Sequence, residues 1–569
     1  MRYAVDPRQM PLFDPAEEMF SPAAIKRLRK DWPELFRRQL LHLMPVGKIA
    51  EHFDPTMGCP TKELYSMAGA IFLKEFFDLT IEEAVNRYLF DTAWHYALNV
   101  APMTVSMSHS SIERYMKLFA EDDLAAEVFH RVTSALIEVL ELDVSCQRLD
   151  STHVFSDMAT FGRSKLMGVT IKRFLTQLKR HHPEAHDALP EELRGRYAPS
   201  QSQLFGDFKG TRKQLRQVIA EDLLVLVNCF AEDKAVTART SYQAMARVLR
   251  EQCQVSEDKT IVEVKTKPAP EAMENPSDPD ATYDGKKGQG YQAQIAETCS
   301  ASNGQQLIVG VEVEPAHCSD QDAVEPMLDQ LEAHGREPER LYADTGYGRD
   351  ANVVAAEARG VDLQSPVGGA QPRNEDDLTL DDFVIDEQGE TVSACPRGCQ
   401  PESSVYDAQT GRTTTRMHAA DCSTCALRSR CPVKPSCKRF VLRHTPTQRR
   451  LARRRAHQTT EAFRTNYAIR AGSESVNSGL KRRTGMGRVR TRGRPRVRMA
   501  VLLRCAGWNL FRALAALKKR EKRAAAAAAG ILCHILAASV RLRAAVALGE
   551  ALRGRSPHHP ARAPALAAA

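Results

Sequence analysis

Tyr467, Arg470, Glu474 and Lys481 stand at offsets of 0, 3, 7 and 14 in one stretch, Tyr467-Ala-Ile-Arg470-Ala-Gly-Ser-Glu474 and then Lys481. At roughly 100° per residue the four fall within about 60° of one another on an α-helix. One helical face then carries a carboxylate flanked by two cations and a phenol. A carboxylate so placed can hold a divalent metal, while Arg and Lys hold phosphates. Chemistry on a nucleic-acid backbone needs both. A charged face standing alone is more often a solvated surface, so its meaning depends on what other elements bring to it.

Two further carboxylates fit that need. Leu142 to Asp150 reads as a strand running into Asp150, and Arg340-Leu-Tyr-Ala-Asp344 as a short strand ending in Asp344. Two-metal phosphodiester chemistry uses carboxylates from separate elements to hold two Mg²⁺ ions about 3.5–4 Å apart. Mg²⁺ (or Mn²⁺) suits carboxylates that leave positions open for water and phosphate. No Ser-His-Asp pattern competes with this reading. A single strand-end Asp is usually a turn former or helix cap, so the weight lies in the combination of Asp150, Asp344 and Glu474. His153 and His317 read as connection residues.

The chain has 569 residues and a formal net charge of +8, unevenly spread. From Lys438 to Arg498 there are about 19 Lys or Arg and only two acids, Glu461 and Glu474. Such a block is an electrostatic footprint for a polyanion. The stretch Lys481 to Arg498 looks too rich in Gly and charge to pack into a core. The N-terminus has no apolar signal region, and no membrane span stands out in the first 520 residues. Ala524 to Val540 is apolar, but it is shorter than the roughly 20 residues a span needs and is interrupted by His534. These features point to a cytoplasmic protein with reduced thiols.

Six of the 14 cysteines lie between Cys395 and Cys437. In a reducing compartment such a cluster reads as metal binding before disulfides. Cys395-Pro-Arg-Gly-Cys399 and Cys422-Ser-Thr-Cys425 have spacings that let two thiolates grip one Zn²⁺. The expected structural zinc ligands are Cys399, Cys422, Cys425 and Cys431, with Cys395 and Cys437 as alternates. Reduced, unliganded thiols are the competing reading.

The surrounding elements must position these groups. Residues before about 145 read as helical, with Lys62 to Phe90 apolar at helical spacing and Thr80-Ile-Glu-Glu83 as a capping box. Residues 160 to about 270 return to helical periodicity. A Pro-, Asp- and Gly-rich loop follows from Lys267 to Gly290. Strands are expected at Tyr291–Glu297, Gln306–Val313 and Val361–Ser365, and helices at Asp322–His334 and Ala351–Arg359. This order suits a mixed α/β domain.

The sequence resembles the DDE transposases of bacterial insertion sequences. Asp150-Ser-Thr152 is similar to that family's first catalytic Asp motif and Asp344-Thr-Gly-Tyr347 to its second. Tyr467, Arg470, Glu474 and Lys481 match its Tyr-x2-Arg-x3-Glu-x6-Lys signature without a gap. Asp278-Pro-Asp280 and Gly290-Tyr-Gln-Ala-Gln294 resemble the lead into the second core strand, and residues 54 to 120 the helical N-terminal domain. The resemblance covers roughly residues 15 to 520.

It implies an α/β fold with an RNase H-like mixed-sheet core over 142–520, preceded by a helical domain over 15–140. The core would carry a helical insertion at 156–275 and a Cys-rich, zinc-like insertion at 395–437, and an Ala-rich tail would occupy 521–569. These insertions would absorb the 194 residues between Asp150 and Asp344 and the 130 between Asp344 and Glu474. The resemblance further implies that Asp150, Asp344 and Glu474 are the Mg²⁺ ligands. Arg470 and Lys481 would contact DNA phosphates or a displaced base, and Tyr467 would orient the DNA strand. The protein would cleave transposon ends and join the freed 3′-hydroxyl to target double-stranded DNA, as a homo-oligomer, a dimer by family resemblance. Two other readings stay open: a metal-dependent nuclease with no joining step, and a non-catalytic zinc-containing DNA-binding protein.

Overall fold

The computed structural model describes residues 1–9, 14, 19–102, 105–370, 372, 374–386, 388–437 and 439–553. Residues 1–512 form one compact unit and residues 513–569 a second.

Short helices over residues 22–51 lead to α1 (Leu64–Phe76), whose apolar residues surround the whole helix, so that it is buried on nearly every side. The Thr80–Glu83 capping box then starts α2 (Ile81–Phe90): the Thr80 hydroxyl accepts from the Glu83 N–H and the Glu83 carboxylate accepts from the Thr80 N–H. The break at Phe77–Thr80 divides the helical run expected over 62–90 into two. α3 (His109–Glu121) starts from a Ser108 cap, and α4 (Leu124–Leu140) completes the helical region. Arg336, almost fully buried, donates to the His130 carbonyl of α4 at 2.6 Å and to the Val309 carbonyl of the sheet at 2.9 Å, docking the helices on the core.

β1 (Cys146–Val154) is the central strand and extends past Asp150, which lies mid-strand rather than at its end. From there the chain makes a helical excursion built on α5 (Arg163–His181), α6 (Arg212–Cys229) and α7 (Thr240–Gln252). The excursion has its own apolar core running from Phe161 to Met273, so its length does not disturb the sheet.

β2 (Thr282–Asp284), β3 (Gly288–Thr298), β4 (Ile308–Pro315), β5 (Arg340–Ala343) and β6 (Asp362–Gln364) complete a six-stranded mixed sheet. β3 pairs antiparallel with β1 on one side and with β2 and then β4 on the other. β5 runs parallel to β1, and β6 parallel to β5. The loop expected over 267–290 thus gives way to a strand and a tight turn near its end. α8 (Val324–Glu332) and α9 (Asp350–Ala358) place Val324, Met327, Leu331 and Val353 against Leu149, Ala296, Leu341 and Ala343, which forms the core on one face of the sheet.

The Cys-rich region is larger than the 395–437 span. A strand pair, Val384–Ile385 with Val392–Ala394, precedes a four-stranded antiparallel sheet whose last long strand ends at His444. Three helical pieces follow: α10 (Pro446–Gln458), α11 (Glu461–Tyr467) and α12 (Gly472–Thr484). The final helix, α13 (Arg494–Arg553), brings Gly507 against Phe76 and stacks Phe511 on it at 4.9 Å. Residues Arg494–Ala529 are long and apolar enough to cross a membrane, but their apolar window is 67 % buried, the pattern of a core helix. Several side chains in the 524–540 run lie outside the described residues.

The basic segment after Lys481 departs from expectation. It packs: Met486, Val489 and Val497 are buried. Phe155 exchanges backbone hydrogen bonds with Gly487 and Val489, and Asp157 donates to the Thr491 carbonyl, which extends the edge beyond β1. Alternation resolves the apparent conflict between charge and burial. Val489 and Thr491 point inward while Arg488, Arg490 and Arg492 are exposed, as the two-residue period of extended backbone requires.

Candidate active site

The sheet register brings the two aspartates together. Leu149 of β1 pairs with Ala343 of β5 in parallel, so the next residues, Asp150 and Asp344, sit side by side on strands about 4.8 Å apart. Asp344 leaves the strand and caps a short 3-10 turn, accepting from the Gly346 N–H at 2.7 Å. Its side chain is 39 % exposed, whereas that of Asp150 is 14 % exposed.

The segment carrying Glu474 is not one helix. α11 ends at Tyr467, a 3-10 turn spans Ala468–Ala471, and α12 starts at Gly472. Two anchors explain the break. The Tyr467 hydroxyl donates to the Ala343 carbonyl at 2.9 Å, next to Asp344. Arg148, two residues before Asp150, donates to the Ile469 carbonyl at 2.9 Å from within the turn. The same guanidinium is paired with the buried carboxylate of Glu297 on β3. Gly472 lies directly over it: a Cβ there would stand 1.8 Å from an Arg148 nitrogen.

Past that joint, α12 lies along Asp150. Arg470 donates to one Asp150 oxygen at 3.1 Å and is 3.6 Å from Asp344, while Asn477 donates to the other Asp150 oxygen at 3.1 Å. Glu474 is three residues before Asn477 on α12, the spacing of one helical face. It therefore lies on the side of α12 that carries Asn477 and is exposed, and among the described residues its side chain makes no hydrogen bond or ion pair. Lys481 follows two turns further on the same helix.

Among the described residues, no three His, Cys, Asp or Glu side chains are drawn together tightly enough to hold a metal ion. The Arg470 guanidinium stands as counter-ion to both aspartates. The pair still fits a divalent cation in kind, since two hard oxygen donors already attract a positive charge to the space they share.

Burial raises the Asp150 carboxyl above its ordinary 3.8; Arg470 opposes that shift and Asp344 adds to it. Behind the aspartates lies a buried polar network that sequence reading missed. The Tyr347 hydroxyl donates to Gln294 at 2.5 Å, and Gln294 donates to Glu314 and Asp320 at 2.8 and 2.9 Å. Only the alternation of polar residues in Gly290-Tyr-Gln-Ala-Gln294 hinted at it. His153 is buried, its Nε2 3.0 Å from the Gln289 carbonyl, and His317 pairs with Thr282.

Lys481 borders a cleft of roughly 870 Å³ that continues along Arg488, Arg490, Arg492 and Arg496 to the starts of α2 and α3. Several of its cations are partly balanced, Arg490 by Asp78 at 3.1 Å and Arg492 by Asp157 at 3.6 Å.

In the Cys-rich region, Cys395, Cys399, Cys422, Cys425 and Cys431 line one small cavity. Cys437 is exposed and absent from its walls. Among the described residues the thiols do not stand close enough together to hold a metal ion as they are. Burial pushes the Cys422 thiol up to about 11 and raises those of Cys399 and Cys431.

Residues 394–514 match the family model described as a transposase DDE domain. The match supports a DNA transposase. It spans the cysteine cavity, the Tyr467–Lys481 segment and the start of α13; Asp150 and Asp344 lie upstream of it. No curated protein and no solved structure matches the chain.

Two predictions follow from this geometry. Gly472→Ala forces its methyl into Arg148, so it should destabilise by about 1–3 kcal/mol in chemical denaturation and impair metal-dependent DNA cleavage. The second concerns pH. Asp150 must be ionised to attract a cation, so cation binding should fall off along an acid limb above the ordinary 3.8. Arg470→Ala removes a charge that lowers the Asp150 pKa and should move this limb to still higher pH; an unmoved limb in a pH profile of cation binding counts against the assignment. For stability the sign is opposite: a raised carboxyl favours folding below its unfolded pKa and loses that contribution as pH rises through its folded value.

Proposed function

We propose that this chain is an insertion-sequence transposase with an RNase H-like core. It cuts DNA at the element's ends and transfers the freed 3′-hydroxyl to target DNA. Asp150, Asp344 and Glu474 form the catalytic triad. The observation that carries the reading is the parallel register that sets Asp150 beside Asp344, with α12 bound to Asp150 by residues on both sides of Glu474.

Mg²⁺ or Mn²⁺ held by the three carboxylates would supply Lewis-acid activation of the attacking and leaving oxygens. The chain's own residues do the rest. Asp150 and Asp344 hold the site's negative charge on a rigid sheet, and Asn477 fixes the Asp150 carboxylate. Arg470 is free to exchange its carboxylate partners for a DNA phosphate once their charge is neutralised. Lys481 contributes a cation at the mouth of the basic cleft, and Tyr467 fixes the strand end that carries Asp344 and borders the DNA path. The enzyme acts as a homo-oligomer, a dimer holding paired ends, in the reducing cytoplasm.

The Cys-rich region is proposed to hold one structural Zn²⁺ through Cys399, Cys422, Cys425 and Cys431, with Cys395 on the same cavity as a replacement. The support is five thiols around one cavity in a small module with a small apolar core. Purified protein should then carry about one zinc per chain, and chelation should unfold the module; metal analysis showing no zinc in protein purified under reducing conditions would remove this assignment.

The central test incubates the protein with Mg²⁺ and a supercoiled plasmid bearing its own flanking DNA ends. Cleavage at the ends with joined products is expected, and Asp150→Asn and Glu474→Gln should abolish it while DNA binding stays nearly unchanged. Random nicking would indicate a nuclease, and binding with no reaction would indicate a DNA-binding protein.

A further inference from the structure

Asp150 is followed in β1 by Ser151, and the Ser151 hydroxyl accepts a hydrogen bond from the Lys287 ammonium at 3.2 Å. Lys287 sits on the β2–β3 turn, and that turn is tightly specified. The Asp284 carboxylate accepts from the backbone N–H groups of Lys286 and Lys287 at 2.8 and 2.5 Å. Gly288 and Gly290 hold φ values of +97° and +137°, and a Cβ on Gly290 would stand 2.5 Å from the Val154 carbonyl. The turn can therefore lie against the far end of β1 only as it is, with Lys287 one residue from a catalytic aspartate.

α12 approaches Ser151 from the other side. Asn477 reaches toward the Ser151 carbonyl at 3.5 Å, and Lys481 lies one turn beyond. Ser151 is thus approached by Lys287 from the β2–β3 turn and by the Asn477 face of α12, the helix that carries Lys481; desolvation and then the Lys287 charge hold the Lys481 ammonium below its usual range. Among the described residues, neither lysine stands in any of the 30 ion pairs. Asp284, the carboxylate nearest Lys287 in the chain, is occupied with the turn's own N–H groups. Asp284 offsets part of the Lys287 charge from within the turn, but neither ammonium is closed off by a direct ion pair, and two like charges near one another cost free energy. A bound anion with two free oxygens would relieve that repulsion, because each ammonium can donate to one of them.

We propose that Lys287 and Lys481 jointly bind one phosphodiester of the substrate strand, adjacent to the phosphate cut at Asp150. This deepens the transposase reading and rests on it. Lys287 is a positioning residue on a separate element from α12, so the substrate strand is gripped across the β1 end rather than along one helix.

The test uses the full-length protein. Lys287 is exposed, so Lys287→Ala leaves the fold intact. Binding to an end-containing duplex is followed by fluorescence anisotropy across salt concentrations. Lys287→Ala should flatten the log Kd against log salt slope by about one unit, and Lys287→Arg should restore it. A scan then replaces single phosphates near the cut with uncharged methylphosphonates. The replacement that weakens binding to the parent should have no further effect on Lys287→Ala. An unchanged slope, or losses that add at every position, would overturn the proposal. Failure of the underlying reading looks different: a parent that cuts no DNA but shows the slope change and the non-additive phosphate keeps the lysine site and loses the transposase.

Discussion

The Arg148 guanidinium is the joint on which the site depends. It is almost fully buried, and it links three elements: its own strand β1, the Glu297 carboxylate of β3, and the Ile469 carbonyl just before α12. Arg512 of α13 completes the neutralisation of Glu297. A buried charge left without its partner costs several kcal/mol, so the turn that carries Arg470 has little freedom to drift from the strand that carries Asp150. Gly472 allows the close approach that this joint needs. Asp150 and α12 are 324 residues apart at Asp150 and Glu474, and a tertiary contact, not chain proximity, aligns them.

A second constraint follows from the substrate's charge. A site that handles a polyanion needs carboxylates to hold a cation and cations to hold phosphates, and these groups attract one another. Arg470 shows the outcome, paired with both aspartates. Lys287 and Lys481 show a different solution, cations held on a turn and a helix without a direct ion pair among the described residues, with Asp284 near Lys287 only at longer range. The basic segment beyond α12 solves the same problem by alternation, burying Val489 and Thr491 while Arg488, Arg490 and Arg492 face the cleft.

Local features were legible in the sequence because their causes are local. The Thr80–Glu83 capping box, the strand Arg340–Ala343 and the mixed α/β order all rest on short-range patterns, and the structure has each of them. The spacing of Tyr467, Arg470, Glu474 and Lys481 picked out the segment that meets Asp150. It could not show the break at Ala468–Ala471, because that break is made by Arg148 and Ala343, both far away in sequence. Asn477 and Lys287 were missed for the same reason: an amide in a helix and a lysine in a turn carry no signal until the register of β1 is known. The basic segment was misread because charge count was weighed above its two-residue alternation.

The measurement that bears most directly on the central claim replaces Mg²⁺ with Fe²⁺ and uses ascorbate and peroxide to generate hydroxyl radicals at the bound metal, which cut the polypeptide nearby. If the three carboxylates meet at one centre, the fragments should map to cuts near Asp150, Asp344 and Glu474, and all should vanish together in Asp150→Asn. Cuts near the aspartates that never include Glu474, or cuts that persist in the variant, would contradict the account.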